Sequence, residues 1–174
     1  MAQFLTSSFG ANTTDPKKMG QQLVCLMKET PDDVDAALKM IAGGADANTK
    51  NEHGMTPLMF AALNGHENLV IALLDKGARV NDTENTGTTA LIFAAYRFQN
   101  PGHRNIAKIL LEHGADPDIE NKMGFSADDF VYKLRKEDRV GLSDAFCAYR
   151  LKKIADAGTP RKRRIYRKNT TEPK

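Results

Sequence analysis

The sequence has no tryptophan, only two cysteines and no long apolar run. Cys25 and Cys147 are too few for a disulfide framework or a cysteine-based zinc site, and each lies within a helical pattern. We expect both to be small buried residues without a catalytic thiolate. No apolar stretch approaches the roughly 20 residues needed to cross a bilayer, so we expect no membrane insertion.

The motifs that carry catalytic chemistry are also missing. The sequence contains no Gly-x-Ser-x-Gly, no Walker-type phosphate loop and no His-Glu-x-x-His. Carboxylates cluster at Asp32, Asp33 and Asp35 and again at Asp128 and Asp129, but each cluster lies at a predicted helix start, where it favours the positive end of the helix dipole. We therefore predict that the chain is not an enzyme and holds no cofactor and no metal.

The beginning of the chain lacks a targeting pattern. Residues 1–10 carry no basic segment and no sustained apolar core, which predicts that there is no secretory signal. Ala2 excludes glycine-dependent myristoylation. Together with the low cysteine content, this pattern favours a reducing compartment, and we expect a cytoplasmic and/or nuclear protein.

Charge is distributed unevenly along the chain. Residues 150–174 contain ten basic and two acidic residues, a net charge of +8. The rest of the chain contains 15 basic and 20 acidic residues, a net charge of −5. A mildly acidic body thus carries a basic tail.

The chain repeats itself with a period near 33 residues. Residues 54–62, GMTPLMFAA, align with residues 87–95, GTTALIFAA, at an offset of 33. A second block, Gly-Ala-x-x-Asn/Asp, recurs at 44–48, 77–81 and 114–118, at offsets of 33 and 37. A fixed period of this length indicates stacked supersecondary units.

Each repeated position has a physical role in a helix pair. Thr56 and Thr89 are N-cap residues whose hydroxyls can accept from the first turn, and Pro57 suits the first helical position. The apolar residues that follow recur at helical spacing and define one buried face. Gly77 and Gly114 are predicted to end the second helices in the left-handed conformation.

These motifs resemble the ankyrin-repeat family over roughly residues 15–155. The resemblance implies an all-α solenoid of stacked helix-turn-helix units with projecting β-turn loops, in which two full repeats lie between degenerate caps. The predicted units are 15–49, 50–82, 83–119 and 120–157, preceded by a disordered segment, 1–14, and followed by a basic disordered tail, 158–174. In this family, histidines in the Gly-His step, here His66 and His103, support turn packing.

The predicted caps differ from the central units. Asp15 and Pro16 should begin a helix that runs through Glu29. Ser126 and Asp129 form a candidate capping box in the last unit. Asp128 stands where the repeat has a buried leucine, which indicates a polar-faced cap, and a final helix is predicted over about 137–155, with Phe146 facing inward.

The third unit carries four extra residues between its helices, within 96–101. Surface loops tolerate insertions, so neutral drift is one interpretation. The other is a side lobe that reshapes the binding surface, which Phe98 in this turn favours.

The resemblance implies a concave binding face built from turn tips and first helices. We expect Tyr96, Arg97, Met55 and Phe125 to dominate binding, because aromatic residues, arginine and methionine are enriched at interfaces. The full set of candidate contact residues is Lys50, Glu52, His53, Met55, Leu63, Asn64, Thr86, Thr88, Tyr96, Arg97, Phe98, Lys122, Met123 and Phe125.

The basic tail has three interpretations. The run Arg161, Lys162, Arg163 and Arg164 resembles a nuclear-localisation signal read by an import receptor. It could equally attract nucleic acid or anionic membrane without specificity, or be a solvated tail. Thr159, before a proline, resembles a phosphorylation site. The family's asparagine hydroxylation points to Asn81, although Arg79 replaces the usual acidic residue there.

These observations predict a protein-protein interaction module that acts as an adaptor, scaffold or inhibitor and is monomeric by itself. The alternatives are a nuclear or nucleic-acid-associated regulatory protein, in which the tail supplies targeting or affinity, and a secreted pathogen effector. Partner identity and pathway do not follow from the sequence.

Overall fold

The computed structural model of the protein describes residues 15–97, 100–132, 146, 148–149, 151 and 155. Within these residues the backbone forms seven α-helices. They are α1 (Pro16–Glu29), α2 (Val34–Ala42), α3 (Pro57–Asn64), α4 (Glu67–Asp75), α5 (Ala90–Tyr96), α6 (Pro101–Glu112) and α7 (Ala127–Tyr132). The predicted segments 1–14 and 158–174, and the candidates Phe98, Cys147, Thr159 and Arg161 to Arg164, lie outside the described residues.

The helices form two layers. The first helices of the units, α1, α3, α5 and α7, pack side by side, and the second helices α2, α4 and α6 form the other layer. Loops between the layers project as turn tips, with an isolated antiparallel bridge between Thr83 and Thr89. The predicted all-α ankyrin solenoid is confirmed.

The helix starts follow the predicted capping chemistry. The Asp15 side chain accepts from the Lys17 backbone N–H at 3.0 Å, and Pro16 occupies the first turn of α1. The Thr56 hydroxyl accepts from Met59 N–H at 3.4 Å. These predicted N-caps are confirmed, because each side chain satisfies an N–H group that the helix leaves without a partner.

Small residues allow the units to approach closely. Ala61 and Ala62 on α3 and Ala94 on α5 are each 0% exposed. Leu58 on α3, Leu91 on α5 and leucines of the second helices belong to the same continuous core. Deep burial of alanine lets neighbouring backbones come together without a cavity.

The histidines of the Gly-His step connect adjacent units. His66 Nε2 donates to the Pro31 carbonyl at 2.7 Å, and His103 Nε2 donates to the Leu63 carbonyl at 3.0 Å. Each ring therefore satisfies a carbonyl of the preceding unit, and the predicted packing role is confirmed.

Cys25 corrects the sequence-based expectation of a buried thiol, because its side chain is exposed. Leu23, Val24 and Met27 form the buried face of α1, and Cys25 lies two residues after Leu23, on the opposite side of a helix with about 3.6 residues per turn. Partial desolvation and the hydrogen bond to Glu29 raise the pKa of the thiol. Cys25 is therefore a protonated surface thiol at neutral pH.

The last unit departs from the repeat as predicted. The Asp129 carboxylate accepts from Ser126 N–H at 2.7 Å and from its hydroxyl at 2.9 Å. Asp128 is half-buried, and Phe146 is 3% exposed within the core. The rest of the predicted final helix lies mainly outside the described residues.

Gly65 should be harder to replace than Gly77, although both are left-handed. Its φ is +82°, and an added Cβ would lie 2.8 Å from His103 Cε1, whose ring is held by Leu63. Gly77 has φ +80° with no neighbour within 4 Å of such a Cβ. We expect Gly77→Ala to lower the free energy of unfolding by about 1 kcal/mol, and Gly65→Ala by about 1–3 kcal/mol more, in urea titrations. Equal losses of unfolding free energy in the two variants would show that the His103 ring moves away from the added methyl group without cost.

Candidate protein-binding surface

Asparagine side chains organise the turn tips, which we number first (50–55), second (83–88) and third (120–125). Asn51 Oδ1 accepts from the backbone N–H groups of His53 and Met55, both at 2.9 Å. Asn121 Oδ1 accepts in the same way from Met123 and Phe125, both at 3.0 Å. Each tip thus has one backbone conformation without help from its outward-facing side chains.

The tips are also joined to each other. Asn85 N–H donates to the His53 carbonyl at 2.9 Å, and Lys122 N–H donates to the Thr86 carbonyl at 2.8 Å. Asn85 Nδ2 adds a bond to the Glu52 carbonyl at 3.0 Å. Because backbone groups make most of these links, three tips form a row whose side chains can vary without breaking it.

Glu84 fixes the second tip. Its carboxylate accepts from Thr86 N–H at 2.9 Å, from Thr88 N–H at 3.0 Å and from the Thr86 hydroxyl. Partial burial alone would raise the pKa of Glu84, but the hydrogen bonds from Thr86 and Thr88 outweigh it and hold the pKa below the usual value. The ionised carboxylate is therefore part of the folded tip.

Two ion pairs connect residues that are far apart in sequence. Lys28 Nζ lies 2.9 Å from Glu52 Oε1, and Lys50 Nζ lies 3.2 Å from Asp82 Oδ2. The hydrogen bond to Glu52 raises the pKa of Lys28, and the hydrogen bond from Lys28 lowers the pKa of Glu52. Both members of this pair are exposed, so it contributes little to stability. Its effect is to neutralise two charges at the first tip.

An aromatic cluster lies at the other end of the surface. The rings of Tyr96 and Phe130 meet edge to face with centroids 5.8 Å apart, and those of Phe125 and Phe130 lie 5.9 Å apart. Tyr96 remains 69% exposed, and Met123 on the adjacent tip is 73% exposed. We call Tyr96, Phe125 and Phe130 the aromatic cluster.

The sequence reasoning missed Phe130. Phe60, Phe93 and Phe130 each lie four residues after Thr56, Thr89 or Ser126, so they repeat at the same offsets of 33 and 37 as the other motifs. Phe60 is 8% exposed, whereas Phe93 and Phe130 are half-buried. The repeat register alone could have identified this row.

The structure places the other candidate contact residues at different depths. Exposed candidates are Lys50, Glu52, His53, Thr86, Tyr96, Arg97, Lys122 and Met123, and half-buried ones are Met55, Leu63, Asn64 and Phe125. Thr88 is only 8% exposed, which corrects the expectation that its side chain is free for contact. Its N–H bond to Glu84 and its hydroxyl contact with Thr86 at 3.0 Å hold it inside the tip.

Asn81, the predicted modification site, connects two units. Its Oδ1 accepts from Asp116 N–H at 2.8 Å, and its Nδ2 donates to the Gly114 carbonyl at 3.0 Å. Asn48 makes the equivalent bonds one unit earlier. Modification of Asn81 stays a prediction.

Within the described residues, no group of three or more His, Cys, Asp or Glu side chains is arranged to hold a metal ion. An open groove is lined by Val34, Gly65, His66, Glu67 and Asn68, but the His66 ring is committed to Pro31. No helix in the described part of the chain has the length and apolarity of a membrane span.

Replacing Glu84 with glutamine tests its role at the tip. The pKa of Glu84 is lowered by folding, so its stabilisation is present above the unfolded pKa and is lost as pH falls through the folded value. We expect Glu84→Gln to lower the free energy of unfolding by about 1–2 kcal/mol at pH 7. In urea titrations, the difference in unfolding free energy between variant and wild type should shrink at acidic pH. A difference that does not change with pH would argue against a role for the ionised Glu84 carboxylate.

Comparisons with known proteins agree with this architecture. A family model described as ankyrin repeats, in three copies, matches residues 25–121. The chain is 43% identical over 92 residues to ankyrin repeat and SAM domain-containing protein 6 of Mus musculus, a match that covers 52% of this chain and 10% of that protein. It is 31% identical over 130 residues to an ankyrin repeat-containing protein of Treponema pallidum, covering 74% of this chain and 41% of that protein.

The matched relatives are longer than the matched region. Zygote-specific protein 3 of Chlamydomonas reinhardtii is 42% identical over 86 residues, which cover 48% of this chain and 21% of that protein. The chain therefore spans less than half the length of each of these relatives. Because the family model spans more than half of the sequence and the two-layer stack reproduces the repeat, the chain belongs to the ankyrin-repeat family.

Proposed function

We propose that this chain is an interaction module, an adaptor, scaffold or inhibitor, that binds a protein partner on its first helices and turn tips. Ankyrin repeats are generally protein-protein interaction modules, and that role supports the proposal. The observation that carries it is the exposure of Tyr96 and Met123, 69% and 73%, beside the aromatic cluster. Large apolar side chains held in water by a rigid frame are typical of binding sites.

The frame itself favours binding. Backbone bonds from Asn85 to His53 and from Lys122 to Thr86 fix the tips before a partner arrives. Association then costs less ordering entropy than it would with flexible loops. Binding rather than catalysis also suits the two Gly-His histidines, because their Nε2 atoms are committed to backbone carbonyls.

The double variant Tyr96→Ala/Arg97→Ala should weaken partner binding by roughly 10- to 100-fold, because a central aromatic residue with an adjacent arginine is a typical hot spot. Binders would be selected from a displayed random-peptide library against the full chain, and their affinities measured for wild type and variant. Thermal unfolding should stay cooperative, with a small fall in the midpoint from the loss of the Tyr96–Phe130 ring contact.

The matched control is Ile71→Ala/Lys76→Ala, which removes another exposed apolar and cationic pair from the layer of second helices. Loss of affinity in this control with none in the Tyr96 and Arg97 variant would place binding on the opposite face. Failure to select any binder to the full chain would count against the interaction function.

We further propose that residues 150–174 act as a nuclear-targeting or nucleic-acid-attracting tail. Their net charge of +8 supports this role. Fused to an inert fluorescent cargo, residues 150–174 should concentrate the cargo in the nucleus of a eukaryotic cell. Alanine at Arg161, Lys162, Arg163 and Arg164 should abolish this accumulation, and a diffuse wild-type fusion would exclude the nuclear role. Nucleic-acid attraction would instead appear as affinity that falls steeply with salt.

A further inference from the structure

We propose that the aromatic cluster end of the surface selects an acidic partner segment with an apolar anchor. In this arrangement the anchor packs on Tyr96, Phe130 and Met123, and carboxylates of the segment pair with Arg97 and Lys122. The inference rests on the proposed function and specifies its partner class.

The aromatic cluster supplies the anchor site. Tyr96 comes from the end of α5, and Phe130 from α7, so the edge-to-face contact at 5.8 Å spans two units. Phe125 supports Phe130 from the tip side at 5.9 Å. Met123, which is 73% exposed, lies on the same tip as Phe125, and both backbone N–H groups donate to Asn121. An aliphatic or aromatic side chain is the natural complement to this surface.

The charged candidates differ in whether they already have partners. Glu52 pairs with Lys28, and Lys50 pairs with Asp82. Arg97 and Lys122 are both exposed and form no ion pair within the described part of the chain. The cations available to a partner are therefore at the aromatic end rather than at the first tip.

These two cations adjoin the proposed anchor surface in sequence. Arg97 directly follows Tyr96 at the end of α5, and Lys122 directly precedes Met123 on the third tip. The backbone bond from Lys122 to Thr86, 2.8 Å, holds the third tip against the second. In the proposed complex, a segment anchored on these rings pairs its carboxylates with these two cations.

Two of the nearby carboxylates are already used in folding, and Glu120, exposed on the third tip, is outnumbered by Arg97 and Lys122. Glu84 accepts hydrogen bonds from Thr86 and Thr88, and Asp129 accepts from Ser126. The carboxylates of Glu84 and Asp129 thus accept hydrogen bonds from within the protein, whereas the side chains of Arg97 and Lys122 are exposed. Local complementarity therefore favours an acidic partner, although the net charge of the body is −5. A basic segment, including this chain's own tail, is the competing occupant.

Two labelled peptides with the same Leu-Phe core distinguish these occupants, one flanked by glutamates and the other by lysines. Fluorescence anisotropy would measure their affinities for the full chain. Wild type should bind the glutamate-flanked peptide about 3- to 30-fold more tightly, as expected for two surface ion pairs, with affinity falling as salt rises. Tyr96→Ala should weaken binding of both peptides, because it removes the shared anchor contact.

Reversing the charge with Arg97→Glu/Lys122→Glu should reverse the preference between the peptides. The matched control, Lys39→Glu/Lys76→Glu, makes the same net change at exposed lysines of the second-helix layer and should keep the wild-type order. A wild-type preference for the lysine-flanked peptide, an unchanged order after reversal, or binding of neither peptide would each overturn the inference. If the inference fails in one of these ways but library binders still depend on Tyr96, the proposed interaction function is retained and only the acidic partner class is rejected.

Discussion

The structure depends on one constraint, which is that a single helix pair of this size cannot bury its own apolar face. Each unit therefore uses its neighbour as the other half of its core. Ala61, Ala62 and Ala94, all fully buried, show this dependence, because a larger side chain would not fit the close-packed core at these positions. His66 and His103 reinforce the same junctions with hydrogen bonds to carbonyls of the preceding unit. Stability is thus spread over the interfaces between units rather than concentrated in one centre.

The same stacking produces a binding surface without a dedicated binding domain. Units in register place their tips in a row, and backbone hydrogen bonds join the tips through Asn85 and Lys122. Most side chains along the row of tips are therefore not needed to hold the fold. Glu84 and Thr88 are exceptions, because they hydrogen-bond within the second tip. Surface chemistry can therefore differ from unit to unit on a constant frame.

The surface chemistry of this chain differs between the first tip and the last units. At the first tip the charges of Lys28 and Glu52 neutralise each other. At the last units the aromatic cluster is accompanied by Arg97 and Lys122, which lack ion-pair partners among the described residues. We expect this end of the stack to contribute most of the energy of the proposed interaction, since desolvated aromatic contacts and unpaired charges contribute more to association than neutralised pairs.

The sequence by itself determined the repeat period and the helix starts at Pro16, Pro57 and Ala90, because these depend on local capping and on register. Only the tertiary structure decided the depth of individual side chains. Cys25 proved exposed and Thr88 buried, because depth is set by the angle of each residue around its helix or turn and by the neighbouring unit. The meeting of Tyr96 with Phe130 likewise joins residues 34 positions apart, a contact that exists only after the units have stacked.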